Sequence, residues 1–415
     1  MTLWNPTWRV KANGTDITNI TLTSLNITSG RTDFNSATLP GYCQLSAINT
    51  DNTVYNWTVN TAITIEVQDS AGSYVAIFGG RISDLAIEVQ TAGNTATVTR
   101  INITAVGALA KLQRALFDGN LTEDLDGGQI EQLLEELLTE SWNEVSPSLL
   151  WSNYEATTTW ANAGNVGLGE IDAGEYTMVS RQITDAIIAP IAQQIASSAG
   201  GYLYEDASGR ISYADASHRQ DYLETYGYVE LDGGDALGAG VSAVTRQGNL
   251  VNKLIVDYGN NFNNTYTAED TASQATYGLY TEQFNSYLKN ANDVELFADK
   301  VIGLRAYPYA EFQSITFPLQ SPEIDDTERD ALLNVSMGLP VAISNLPANI
   351  SGGTFLGFVE GWSFRASVGG LFLTLRLSPT EFNTFTEAWE DVNASEDWTT
   401  ISPILTWQNA TGVIS

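Results

Sequence analysis

TMVSRQITDAIIAPIAQQIASSAGGYLYEDASGRISYADASHR, residues 177–219, is the stretch whose reading decides the fold. Apolar residues spaced three and four apart from Val179 to Ala199 predict an amphipathic helix, with a kink or break at Pro190, whose ring removes a backbone donor. Gly200-Gly201 ends it. Tyr202-Leu203-Tyr204-Glu205-Asp206 and Ile211-Ser212-Tyr213 then read as two short strands around a polar turn, Ala207-Ser208-Gly209-Arg210. His218-Arg219 follows as an exposed pair. A helix feeding a β-hairpin defines a mixed α+β unit, and different periodicities flank it.

Upstream, residues 1–107 alternate with period two. Ile63, Ile65 and Val67, then Val75 and Ile77 through Phe78-Gly79-Gly80-Arg81, then Leu85, Ile87 and Val89, then Val98 to Ile103 are separated by turn signals at Asp69-Ser70-Ala71-Gly72 and Thr91-Ala92-Gly93-Asn94. Ile20, Leu22, Leu25 and Ile27 continue the theme less regularly. Such patterning predicts a small antiparallel barrel or sandwich. Residues 108–245 change period. Ala108 to Phe117 reads as a short helix, and Ile130, Leu133, Leu134, Leu137 and Leu138 form the apolar stripe of a longer one, with Glu131, Glu135 and Glu136 on its wet side. Residues 142–176, with Trp151, Tyr154 and Trp160, read as short strands or loop. Residues 246–380 return to strands, at Leu250–Tyr258, Phe312–Leu319, Val341–Ile343, Phe358–Phe364 and Leu371–Leu377, around a helix at residues 291–305. Residues 381–415 form an acidic arm without a basic residue, bearing Trp389, Trp398 and Trp407 nine apart as docking candidates.

The chain has 415 residues, enough for two or three domains, and 43% are hydrophobic. No run of about 18 apolar residues predicts a membrane-crossing helix, and the N-terminus carries no secretory pattern. Cys43 and His218 are the only residues of their kinds, which excludes an intrachain disulfide and an ordinary Cys/His zinc site. Asp124-x-Asp126-Gly127 lacks the further oxygen ligands of a calcium loop and reads as a helix cap. No catalytic residue, metal ligand or cofactor-binding residue is assigned, and the chain reads as a non-enzyme. The net charge is −31, more than half of it in residues 108–245. That sign argues against nucleic-acid binding, although an acidic channel wall would repel DNA and let it pass. Eleven Asn-x-Ser/Thr sequons, Asn13 and Asn102 among them, follow from abundant Asn and Thr.

Four segments, in order, resemble the minor tail proteins that form the tail hub, baseplate hub or tail tip of long-tailed, siphophage-like viruses. They are Phe78–Asp84, with Gly80, Arg81 and Asp84; residues 179–219, with Gly201, Tyr202, Tyr204, Gly209 and Arg219; Leu250–Tyr258, with Asn252; and Leu332 through Met337-Gly338-Leu339-Pro340 and Phe358-Val359-Glu360-Gly361-Trp362 to Pro379. The resemblance covers most of residues 60–380 but not 142–176. It implies a β-rich α+β multidomain fold with two tube-type antiparallel β-barrels and helix-containing inserted domains. It further implies a homotrimer that presents six barrels, matches a sixfold tube to a threefold tip and surrounds the DNA ejection channel. The implied partners are a distal tail protein, the tape-measure protein, a central fibre or tip protein, and DNA in transit without specific binding. No membrane insertion is implied. The implied location is the virion tail tip, assembled in the cytoplasm of an infected prokaryotic host. The alternative is a carbohydrate-binding or depolymerising β-protein of a virion or cell surface, with Trp and Tyr as sugar platforms.

Overall fold

The computed structural model describes residues 4–141, 171–367 and 370–383, except 52, 56 and 93–96. Trp151, Tyr154, Trp160, Trp389, Trp398 and Trp407 lie outside the described residues.

Alternation at the start of the chain yields seven strands: β1 (Trp8–Ala12), β2 (Thr15–Ile17), β3 (Ile20–Gly30), β4 (Leu39–Asn49), β5 (Ala62–Gln68), β6 (Tyr74–Ala92) and β7 (Thr97–Val106). Their inward residues meet in register. Leu45 of β4 faces Leu25 of β3 on one side and Ile103 of β7 on the other. The glycine pair in Phe78-Gly79-Gly80-Arg81 does not interrupt β6, which runs unbroken for 19 residues.

The middle of the chain holds α1 (Leu109–Leu112), β8 (Leu116–Leu121), β9 (Asp124–Leu125), α2 (Asp126–Ser141), β10 (Thr177–Met178), β11 (Arg181–Ile187), α3 (Ile188–Ala199), β12 (Tyr202–Glu205), β13 (Ile211–Ala214), α4 (His218–Tyr226), β14 (Val229–Asp232) and β15 (Ser242–Thr245). The predicted hairpin is present, with Leu203 opposite Tyr213. The predicted helix over Val179 to Ala199 is half strand. Residues 181–187 pair with β8, and the helix begins only at Ile188. Pro190 therefore sits in the first turn, where no intrahelical bond is lost, and it makes no kink. The short helix expected to reach Phe117 stops at Leu112, because Leu116 and Phe117 already belong to β8.

The remainder comprises β16 (Lys253–Tyr258), β17 (Asn264–Glu269), α5 (Thr271–Tyr277), β18 (Thr281–Asn285), α6 (Ala291–Arg305), β19 (Ala310–Pro318), α7 (Asp326–Leu333), β20 (Pro340–Ser344), β21 (Phe355–Ser367) and β22 (Gly370–Pro379). Helix α6 spans the predicted residues, and Asp325 caps α7 by accepting from the Glu328 amide at 2.8 Å.

Strands from both ends of the chain join one 13-stranded sheet, ordered β15-β19-β22-β21-β3-β4-β7-β6-β5-β1-β2, with β20 and β14 branching from β21. The joint is antiparallel pairing of Gly361–Ala366 with Gly30–Leu25. A β-rich α+β architecture is thus observed, but among the described residues the ladder closes into no barrel. Apolar packing forms two cores. One lines the large sheet from Val10 to Leu377, and the other gathers α2, α3, β12, β13, β16 and α6 around Ile130, Ile195, Tyr213 and Val294.

Candidate functional site

Where β21 meets β3, a fully buried ion cluster stands at the junction of the two cores. The register of β21 against β22 slips between Val359 and Gly361, leaving Glu360 as the extra residue of a β-bulge. A bulge re-aims a side chain, and Glu360 points into the protein with 1% of its surface exposed. Its carboxylate accepts Arg219 Nη1 and Nη2 at 2.7 and 3.0 Å and Arg31 Nε at 2.5 Å, with Ser378 Oγ as a further donor. Arg219 Nε donates to the Tyr202 hydroxyl at 3.2 Å, and its Nη1 also donates to Asn383 Oδ1. Asn383 in turn donates to Ser378 Oγ at 2.9 Å and to the Pro379 carbonyl at 3.0 Å.

Glycine makes this closeness available. A Cβ on Gly361 would lie 2.4 Å from the Arg31 carbonyl oxygen, and one on Gly338, whose φ is +85°, would lie 2.4 Å from the Tyr202 hydroxyl. Burial alone would push the Glu360 carboxyl up. The Arg219 and Arg31 guanidiniums outweigh it and hold the group well below the usual carboxylate range.

Four residues singled out in the sequence, Tyr202, Arg219, Gly338 and Gly361, converge here. Arg219 is buried, at 4% exposure, so the reading of His218-Arg219 as an exposed pair is corrected. Sequence reasoning missed Arg31, Glu360 and Asn383. A glutamate inside the otherwise apolar run Phe358-Val359-Glu360-Gly361-Trp362 was the available signal.

The other motif residues lie elsewhere. Gly209, at the turn between β12 and β13, abuts Gly79 of β6, one residue before Gly80. Arg81 is buried and donates to the Asn60 carbonyl at 3.2 Å, and burial lowers its pKa to about 10. Asp84 is exposed and accepts from Ser83 Oγ at 3.0 Å. A Cβ on Gly201 would lie 2.4 Å from the Tyr213 hydroxyl, and Tyr204 packs in the sheet core. Its neighbour Glu205, which the sequence reading passed over, accepts the backbone amides of Gly41 at 2.9 Å and of Leu109. Burial pushes that carboxyl up to about 7. Asn252 is fully buried and organises a local node. It accepts from the Tyr280 amide at 2.8 Å and donates to the Gly278 carbonyl at 2.7 Å and to Ser273 Oγ at 3.2 Å.

Asp126 is more than a helix cap. Its buried carboxylate accepts the amides of Glu175 and Tyr176 at 2.8 and 2.9 Å and the Tyr213 hydroxyl at 2.5 Å. Burial raises its pKa to about 6. His218 Nδ1 lies 2.8 Å from Asp172, and its ring packs among Tyr202, Tyr204 and Tyr222. Among the described residues, no three His, Cys, Asp or Glu side chains gather as a metal site.

No protein-family model matches the chain, and no curated protein matches it by sequence. Solved structures do. The 43 kDa tail protein of prophage MuSo2 from Shewanella oneidensis is similar at a TM-score of 0.54 and 14% identity, over 91% of this chain and 99% of that one. The tail protein from Neisseria meningitidis MC58 is similar at a TM-score of 0.56 and 12% identity, over 92% and 98%. At such identities the likeness is one of fold, and it extends over nearly the whole of each chain.

Proposed function

We propose that the chain is a structural component of a virion tail, and specifically a tail-hub protein. The observation that carries this reading is the fold shared with two tail proteins, one of them from a prophage, over more than nine tenths of both partners, 91% and 99% in one case. The sequence resemblance points the same way independently, through segments spread from Phe78 to Pro379.

The large sheet supplies a physical reason for assembly. Strand β5 covers β6 only as far as Arg81, so from Asp84 onward the outer edge of β6 has no strand partner among the described residues. Strand β3 is covered by β21 only from Leu25, which leaves Ile20 to Ser24 similarly open. An open edge is a template for another chain. Ile87 and Val89 stand 60% and 64% exposed on that edge, and Ile87 faces the buried Ile101. Two different edges on one sheet suit head-to-tail pairing, which closes into a ring when the rotation permits. In the proposed hub, three copies each present two barrel-like β regions, matching a sixfold tube to a threefold tip around the DNA ejection channel. The acids of residues 108–245 would face the lumen and repel transiting DNA. A distal tail protein, the tape-measure protein and a central fibre or tip protein would be its neighbours.

Native mass measurement and negative-stain imaging of the purified chain test this reading. A threefold ring with a central channel is expected, and a persistent monomer at high concentration would overturn it. For the carbohydrate-binding alternative, the tryptophans among the described residues offer no platform, since Trp362 is buried and Trp4, Trp8 and Trp57 pack against the sheet core, whereas Tyr226 and Tyr277 are exposed.

A further inference from the structure

A cavity of about 250 Å³ opens beside the ion cluster, and its lining is unusual for a chain of net charge −31. Arg31, Arg219, Lys300 and Arg305 line it, with Asp215 as the one carboxylate in the lining among the described residues and Glu360 bonded to two of the arginines. Both acids are already engaged. Glu360 is shared by Arg31 and Arg219, and Asp215 accepts from the Ser217 amide and hydroxyl and the His218 amide. Lys300 Nζ reaches only the Ala216 carbonyl, at 3.0 Å, and Arg305 Nε donates to the Asn249 carbonyl at 2.9 Å. Arg305 also lies over the rings of Phe34 and Phe382, 5.1 and 5.3 Å from their centroids. Neither cation lies within ion-pair distance of a carboxylate among the described residues, although Glu282 and Glu311 act on Arg305 from further off. The wall is therefore cationic and aromatic at once, chemistry that suits a carboxylate beside a large apolar group.

Phe382 and Asn383 form part of this wall, so the chain that follows starts at the cavity itself. Residues 384–415 contain five acids and no base. We propose that the cavity is a docking site for the chain's own segment Phe385-Thr386-Glu387-Ala388-Trp389-Glu390-Asp391, whose carboxylates pair with Lys300 and Arg305 while an aromatic side chain covers Phe34. Glu387 is four residues beyond Asn383, a span of roughly 13 Å when extended, so the segment can turn back within its own chain. The inference stands on the cavity and the sequence, and does not need the tail-hub reading.

Disulfide trapping in the full-length chain tests it. Ser197 lines the cavity, and the native Cys43 is buried, with its thiol pushed up by burial, so it will not compete. In the variant Ser197→Cys/Ala388→Cys, mild oxidation is expected to form an intrachain cross-link in most molecules. The yield should drop several-fold when Glu387→Gln, Glu390→Gln and Asp391→Asn are added. Lys300→Gln, at a partly exposed position, should lower it in the same way, which keeps the test decisive if an Arg305 variant fails to fold. Absence of the cross-link, with residues 385–391 exchanging amide protons at unstructured rates, would overturn the proposal. So would a cross-link found only between chains when the two single-cysteine variants are mixed. Trimer formation or its failure leaves this readout unchanged, so the two readings fail separately.

Discussion

The seam of the large sheet and the node around Asn252, just ahead of β16, both bury polar groups, but they satisfy them in opposite ways. At the seam, Glu360 draws its partners from far along the chain, Arg31 from 329 residues away and Arg219 from 141. Ahead of β16, Asn252 finds Ser273, Gly278 and Tyr280 within 28 residues, and every group is neutral. A long-range charged cluster reports that distant segments have come together correctly. A short-range neutral node stabilises one local turn of structure. The first is costly to break, because removing a member strands a buried charge.

The largest expected effect is therefore at Glu360. Glu360→Gln leaves two guanidiniums buried without an anion and should destabilise the fold by about 3–5 kcal/mol, measured by denaturant unfolding. Asn252→Ala removes an acceptor and donors from neutral partners and should cost about 1–3 kcal/mol. Equal losses at the two positions would erase the contrast between charged and neutral clusters.

Stability against pH sharpens the comparison further. The folded pKa of Glu360 is depressed, so its contribution is complete above the ordinary carboxylate range and is lost as pH falls from there through the folded value. Glu205 behaves oppositely. Its folded value of about 7 lies above the ordinary 4.5, so its contribution is complete below that figure and is lost as pH rises toward 7. A melting temperature that peaks at about pH 5 is expected from the pair. Glu205→Gln should make the alkaline limb shallower, the remainder coming from Asp126 and Glu328, which burial also raises, to about 6 and about 7, and Glu360→Gln should flatten the acid limb. An unchanged alkaline slope in Glu205→Gln would exclude that carboxyl as its cause.

The same contrast explains what was legible in the sequence. Strands with strict alternation, such as Leu371 to Leu377, and the hairpin at 202–214 were readable because their pairing rules are local. The stretch 181–187 was misread because Ile183 and Ile187 are four apart, a spacing that puts two residues on one side of a helix and equally on one side of a strand. Pairing with β8 decided the matter, and that partner is some 60 residues upstream. Asp126 looked like a cap for the same reason, since Tyr176 and Tyr213 lie 50 and 87 residues away. The convergence of Tyr202, Arg219, Gly338 and Gly361 was visible as a set of motifs, but not as one place. The glutamate that holds Arg219 there was one among 49 acids.

The smallest effect on stability, and the one that reaches furthest into function, is expected at the open edge of β6. Ile87 is 60% exposed in the isolated chain, so Ile87→Lys should change the unfolding free energy of the monomer by about 0.5 kcal/mol or less. If that edge pairs with a second copy, a lysine there places a charge in a strand-to-strand contact, the device by which natural edges avoid association. Assembly should then fall well below wild type at equal concentration while the melting curve of the monomer stays in place. Ser363→Lys supplies the contrasting case, since it sits on β21 between β3 and β22 and should disturb folding instead of association. Assembly of Ile87→Lys at the wild-type level would remove this edge from the interface, and would leave β3 at Ile20 to Ser24 as the edge to test next.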